Sequence, residues 1–311
     1  MKGMNQATDL VSTGSTEKRA ERKLTDRYQA LLFLAPAVLV IVSVFLYPVV
    51  KLVQYSLQVQ DYGQWKWVGL ANYRGLLNDD IFRQAAKNNA ILLLCVPILV
   101  ILSIFFAILL YEKIRGWQAY RSIVFLPYLL AIPVVGIVFS YIFQYNGILN
   151  EILRSVGLGR LALDWLADSK LALPTVMVVI IWKELGFGVI LFLSRLLSVP
   201  EELYEAAKLD GASWWQTHWN ITIPQLRGII QFYSIVAVIT MISWVFNYVY
   251  VMTKGGPGTS TMVSELYIYQ QGFRFNLMGT ASAVGVILLI VTSIVIFLQF
   301  KVRGGLDSDT E

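Results

Sequence analysis

The chain has 311 residues, 57% of them hydrophobic and only 14% charged, a balance that excludes an ordinary water-soluble domain. Its net charge of +5 comes from lysines and arginines flanking apolar runs, so it marks membrane topology rather than a nucleic-acid footprint. With one cysteine and one histidine, no internal disulfide or cysteine metal cluster is possible, and no nucleophile–base or metal set for an intramembrane enzyme can be assembled.

Residues 1–29 form a polar, basic tail. Lys18, Arg19, Arg22, Lys23 and Arg27 crowd the first apolar run and predict a cytoplasmic N-terminus. Six apolar runs follow, at residues 30–53, 89–111, 122–144, 171–194, 229–251 and 279–300, several longer than the ~18 residues that mark a bilayer-spanning helix. The first is too long for a cleaved signal peptide, and no small-x-small site follows it. Pro36, Pro48, Pro97, Pro127 and Pro133 are compatible with spanning helices, whose neighbours re-satisfy freed backbone groups. An even number of spans returns Lys301 and Arg303 to the N-terminal side, together with the turn holding Lys113, Arg115 and Arg121. The first external loop carries Lys66, Arg74, Arg83 and Lys87 against this rule, and the N-terminal cluster decides. The organisation is a tail over 1–29, a spanning domain over 30–303 and a second tail over 304–311.

The loop over 54–88 is too short for a separate globular domain. Its Tyr62, Trp65 and Trp67 either touch a partner or form a headgroup-level aromatic belt. Span two holds Cys95. The loop over 145–170, with Asn146-Gly147, predicts turns and a short amphipathic helix. Near the middle of span four stand Lys183 and Glu184, each costing ~3 kcal/mol there unless paired or facing a wet cavity. Adjacent helical residues point about 100° apart, so the two are not expected to neutralise each other face to face. One faces a translocation path or a partner, or the charges pair elsewhere to hold helices together.

Residues 198–228 form a polar island that reads as a helix–turn–helix. Ser198 and Glu201 have the spacing of a capping box, Pro200 suits a first turn, and Glu201 and Glu202 suit the positive end of the helix dipole. Gly211 is expected to end the helix in the left-handed conformation. Residues 212–220 resume it, with Trp215 and Trp219 on one face, and Pro224 punctuates the start of span five. His218 is expected to be solvated or interfacial. In span five, Thr240, Ser243, Trp244 and Asn247 fall at spacings of a single stripe. That stripe suits either a sugar ring, apolar on its faces and hydroxylated at its rim, or helix packing through small polar residues. The turn Thr253-Lys254-Gly255-Gly256-Pro257-Gly258-Thr259 is not a phosphate loop, and no G-x-x-x-x-G-K-[ST] pattern occurs, so ATP is not bound by this chain.

Glu205-Ala206-Ala207, three residues, Gly211, nine residues, then Ile221-x-Ile223-Pro224 resembles the "EAA" loop of the membrane subunits of binding-protein-dependent ABC importers, with Ile223 where leucine is usual. Val68-Gly69-Leu70-Ala71-Asn72-Tyr73, and Thr253-x-Gly255-Gly256-Pro257 followed by Tyr267, Phe273 and Gly279-x-Ala281, are similar to the maltose-type permeases of the carbohydrate branch. The likeness runs from Ala30 onward. It lacks the large periplasmic domain and additional N-terminal spans of some maltose permeases.

The resemblance implies an all-α integral membrane protein of six transmembrane helices, the type I ABC importer permease fold with a cytoplasmic coupling helix. It implies that Glu205 meets a basic group of an ATPase and that Gly211 makes the turn. Ala206, Ala207, Asp210, Trp214, Trp215, Trp219, Ile221 and Pro224 then lie at or near the contact. Lys183, Glu184 and Phe187 are implied to line a sugar cavity, and the stripe of Thr240, Ser243, Trp244 and Asn247 offers further substrate candidates on its own residue chemistry. Implied partners are a second related permease, two ATPase subunits holding ATP and Mg, an extracytoplasmic solute-binding protein and the lipids of a bacterial or archaeal cytoplasmic membrane. The chain itself needs no metal, cofactor or catalytic residue. Two alternatives stand: import of a polyol phosphate such as glycerol phosphate, or ion-coupled secondary transport through Lys183 and Glu184. The latter predicts inverted repeats, which the sequence does not display.

Overall fold

The computed structural model describes residues 33–113 and 115–307. The chain folds as two compact units, one ending at Gln54 and the other running from Tyr55. The tail over 1–29 lies outside the described residues.

Helix α1 (Phe33–Ser56) is apolar throughout, and every side chain from Phe33 to Val50 is exposed. It contains one wide π turn, Val42–Leu46, closed by the Tyr47 N–H on the Val42 carbonyl. Pro48 explains the turn. A proline lacks an N–H and crowds the carbonyl four residues back, and that carbonyl, of Val44, sits inside the widened turn.

The second unit opens with an antiparallel hairpin, β1 (Gln58–Asp61) and β2 (Gln64–Trp67), in register from Gln58↔Trp67 to Asp61↔Gln64. Its two-residue turn has φ of +46° at Tyr62 and +81° at Gly63, the pairing that matches strand twist. Helix α2 (Ala71–Leu77) follows. Asp79 then caps α3 (Asp80–Tyr111), its Oδ1 accepting from the N–H groups of Ile81 and Phe82 at 2.8 and 2.9 Å. Span two thus begins nine residues before the apolar run predicts and ends where it predicts.

Span three is not one helix. It divides into α4 (Trp117–Leu129) and α5 (Ile132–Ile142), bent by 102°. Leu130 and Ala131 are extended, with ψ of 141° and 133°, and Pro133 takes the first turn of α5, where its missing N–H costs nothing. The predicted amphipathic helix is present as α6 (Ile148–Ser155). Its buried Asn150 donates to the carbonyls of Tyr145 and Leu163 and accepts from Trp165 Nε1.

Helix α7 (Ala172–Leu196) is the hub, packed on α3 and α4. Glycines permit this. A Cβ at Gly186 would lie 2.6 Å from the Val124 carbonyl oxygen of α4, and one at Gly188 would lie 2.5 Å from Tyr233 Cζ and clash with Ser103 Oγ of α3. Two glycines two positions apart thus let backbones close on opposite faces of α7.

Helix α8 (Glu202–Leu209) leads to α9 (Trp214–Ser243). Span five also departs from the single run expected. It breaks at Trp244, whose φ is −122°, and continues as α10 (Phe246–Met252), packed on α5. Then come α11 (Ser264–Tyr269) and α12 (Met278–Asp307). Leu99, Ile180, Phe192, Leu226, Met241 and Tyr248 are among the fully buried core side chains. Among the described residues, five helices are long and apolar enough to cross a membrane, six when the bent pair counts as one.

Candidate functional site

The polar island is built as helix, turn, helix, but its caps differ from those expected. Ser198 does not cap α8. Its hydroxyl donates to the Arg195 carbonyl at 2.7 Å and accepts from Arg195 Nη1 at 2.9 Å, and α8 starts after Glu201 with no side-chain cap. The capping box lies instead at Ser213 and Gln216, where each side chain meets the other's backbone N–H. Gly211 turns the chain as predicted, with φ +75°, while the Ala212 N–H returns to the Ala207 carbonyl at 3.0 Å. Pro224 does not interrupt the helix. A wide turn at His218–Thr222 precedes it and absorbs the crowded carbonyl of Asn220, the same device as at Pro48.

Glu205, Ala206 and Asp210 are exposed, and Ala207 is buried. Leu209 is 89% exposed, Trp215 72% and Trp219 70%, while Trp214 is partly covered and Ile221 and Pro224 are half-buried. The loop thus presents carboxylates beside large uncovered apolar side chains, the make-up of a docking face.

His218 is not solvated. It is buried, with Nδ1 2.8 Å from Thr222 Oγ1 and Nε2 3.1 Å from Glu112 Oε1. The same carboxylate oxygen accepts from Trp214 Nε1 at 2.6 Å. Beside this network lies a cavity of about 720 Å³ lined by Tyr111, Glu112, Lys113, Tyr204 and Lys208, among others. Nothing local in the sequence points to Glu112, which stands 106 residues from its histidine.

In span four the adjacent charges do meet, at 3.5 Å between Lys183 Nζ and Glu184 Oε1. The rotation argument fixes only the directions in which the two side chains leave the helix, and both are long enough to converge beyond it. The lysine ammonium also lies 5.1 Å from the centroid of the Tyr128 ring and 3.4 Å from the Tyr128 carbonyl. Glu184 Oε1 also accepts from the Tyr248 hydroxyl at 2.8 Å, and Phe187 stacks on Tyr128 with centroids 5.2 Å apart. Span five's stripe divides: Thr240, half-buried, borders the same small space as Glu184 and Phe187, while Ser243 and Trp244 are exposed and Asn247, half-buried, lies beyond the helix break. The space bounded by Glu184, Phe187, Tyr233 and Thr240 holds only about 10 Å³, far below the ~300 Å³ of a small-ligand pocket.

A third constellation was not anticipated. Asn88 Nδ2 donates to the carbonyls of Met262 and Ser260 at 2.7 and 3.0 Å. Asn89 accepts from the Ser264 N–H at 2.8 Å and donates to Glu265 Oε2 at 3.2 Å. The paired asparagines opening an apolar run were the available signal. Among the described residues, no group of histidines, cysteines and carboxylates is placed to hold a metal ion.

The family model of the binding-protein-dependent transport system inner membrane component matches residues 68–302. The probable ABC transporter permease protein YurN of Bacillus subtilis (strain 168) is 34% identical over 276 residues, covering 87% of this chain and 94% of that one. The lactose transport system permease protein LacF of Rhizobium radiobacter is 31% identical over 92% of this chain and 97% of its own. The fold is similar to that of a chain in the crystal structure of a bacterial ABC transporter involved in the import of the acidic polysaccharide alginate, with a TM-score of 0.79 and 23% identity over 91% and 98% of the two chains. The chain belongs to the inner-membrane components of binding-protein-dependent transport systems.

Proposed function

We propose that this chain is the transmembrane permease subunit of an ATP-driven importer of a sugar or oligosaccharide, receiving its substrate from an extracytoplasmic solute-binding protein. The observation that carries the reading is the exposed surface of α8, the turn after it and the start of α9, acidic at Glu205 and Asp210 and apolar at Leu209, Trp215 and Trp219. One of two ATPase subunits, which hold ATP and Mg, docks there from the cytoplasm, where both termini also lie, and the other docks on the second permease. The lactose relative supports a carbohydrate as cargo.

ATP binding closes the ATPases and moves α8, and the spans tilt from inward-open to outward-open. A swing from 1:99 to 99:1 between two such states takes about 5.5 kcal/mol of differential binding. The small space beside Glu184 supports a passage completed by a second permease subunit along the exposed Ser243 and Trp244. A phosphorylated polyol would need a free cation, and Lys183 is already held by Glu184 and Tyr128.

The test is to extract the tagged chain gently from native membranes and identify what accompanies it. The expected companions are a Walker-motif ATPase and a second six-span permease, and the binding protein from the same system then reports the sugar. A chain that purifies alone and supports ATP-independent uptake in vesicles would overturn the proposal in favour of ion-coupled transport.

A further inference from the structure

We infer that Glu112, His218, Thr222 and Tyr204 form a polar strut that positions the coupling helix α8 against the ends of spans two and five. The inference rests on the coupling-loop reading above. Helix α8 is thinly packed: of its residues only Ala207 is buried, and Tyr204 and Lys208 line the 720 Å³ cavity that also borders the end of α3. Apolar packing therefore does not fix its position, and hydrogen bonds bridge the gap.

The bridge has two arms that start and finish at neighbouring residues. In one, the Tyr204 ring of α8 meets the Tyr111 ring of α3 with centroids 5.6 Å apart. In the other, the Tyr204 hydroxyl lies 3.2 Å from Thr222 Oγ1, Thr222 lies 2.8 Å from His218 Nδ1, and His218 Nε2 lies 3.1 Å from Glu112 Oε1. One proton order satisfies every group. Tyr204 donates to Thr222, Thr222 to Nδ1 of a neutral imidazole, and the Nε2–H to the carboxylate, where Trp214 Nε1–H joins it. A chain of bonds aligned in one direction and ending on an anion strengthens each member. Thr222 is fully buried and the His218 side chain is 8% exposed, so cutting the chain leaves sealed polar atoms without partners. The wide turn at His218–Thr222 holds both linking side chains at the start of span five. Movement of α8 thereby reaches spans two and five together.

The test uses the complete importer, reconstituted in proteoliposomes with its binding protein, and reads uptake, ATP hydrolysed per molecule transported, and the apparent KM. Glu112→Ala and His218→Ala should each lower uptake about tenfold, the scale of one buried hydrogen-bond partner lost, with more ATP spent per molecule moved and KM unchanged. The double variant should be no worse than either single one, because both cut the same chain. Glu112→Gln should transport within about twofold of wild type, since its amide oxygen still accepts both N–H groups. Additive losses of about a hundredfold, failure of Glu112→Gln to rescue, or uptake and hydrolysis falling in proportion would overturn the strut. So would Glu112→Ala complexes that do not assemble, which would assign the network to folding. Glu205→Ala separates the two ideas. Wild-type uptake in that variant removes the coupling-loop reading itself, whereas its loss beside normal Glu112→Ala and His218→Ala removes only the strut.

Discussion

The two ends of α3 lead into regions built on opposite plans. Asn88 and Asn89 near its start grip the loop over 253–265: Thr261, Ser264 and both asparagines are buried, and the carbonyls of Gly256, Ser260 and Met262 and the Ser264 N–H are taken up by side chains. At its other end, Tyr111 and Glu112 border a 720 Å³ cavity and reach α8 through one ring contact and one polar chain. The helical rise sets these ends about 35 Å apart, the scale of a bilayer. The contrast teaches which end holds shape through buried packing and which is left thinly packed. Buried, satisfied backbone resists local opening, whereas exposed segments with few apolar contacts belong to the low-stability end of a fold.

Substitutions at the two ends should therefore fail differently. Glu205→Ala should abolish uptake by loss of ATPase docking, with the melting temperature of the detergent-solubilised chain unchanged; normal uptake would sink the role assigned to Glu205. Asn88→Ala should do the reverse. It strips partners from buried carbonyls of the 260–262 segment and should cost about 3 kcal/mol of stability, seen as an earlier melt by tryptophan fluorescence. If Asn88→Ala melts like wild type while Glu205→Ala melts early, the contrast between the ends is inverted.

The sequence carried some of this plainly. Long apolar runs announced the spans, since nothing but lipid rewards them, and Gly211 announced a turn, since only its φ of +75° explains a glycine with no neighbour near its missing Cβ. What stayed hidden depended on tertiary contact. Ser198 and Ser213 offer near-identical capping patterns, and Arg195 removes the first from contention. The break at Trp244 has neither proline nor glycine at it, so no local signal exists. Pro48 and Pro224 were visible, but the wide turns that let a helix run through them were not, because a proline can equally kink or end a helix. Of the candidate site, the loop was legible because its residues are neighbours in sequence. The His218 and Lys183 networks were not, because Glu112, Tyr128 and Tyr248 come from other helices.

A subtler measure of the tight end is its pH response. The unpartnered oxygen of Glu265 is sealed from solvent although the residue as a whole is half-buried, and burial pushes its carboxyl up to about 7. The folded state therefore holds this proton more firmly than the unfolded chain does. Its stabilising contribution is complete below the ordinary value of 4.5 and is lost as pH rises to about 7, a difference of up to about 3 kcal/mol. Wild-type protein should melt progressively earlier from pH 4.5 to 7, and Glu265→Gln should flatten that slope and melt later than wild type at pH 7.5. An unchanged slope in Glu265→Gln would show that this carboxyl ionises alike in the folded and unfolded chain and is not desolvated at the tight end.

The smallest effect expected is at Gly211, and it probes the loose end most directly. A Cβ there meets nothing within 4 Å, so substitution brings no clash, only the strain of a left-handed backbone, about 1–2 kcal/mol for alanine. Asparagine tolerates that conformation and should transport nearly as well as wild type; valine, β-branched, should do worse than alanine. Because α8 is not clamped by packing, the strain is relieved by a shift of the helix rather than paid in global stability. Gly211→Ala and Gly211→Val should thus leave the melting temperature within about 1 °C and instead raise the ATP consumed per molecule transported, in the order Asn, Ala, Val. A falling melting temperature with normal coupling would mean that the turn braces the fold, and that the two ends of the molecule are less different than their contacts make them.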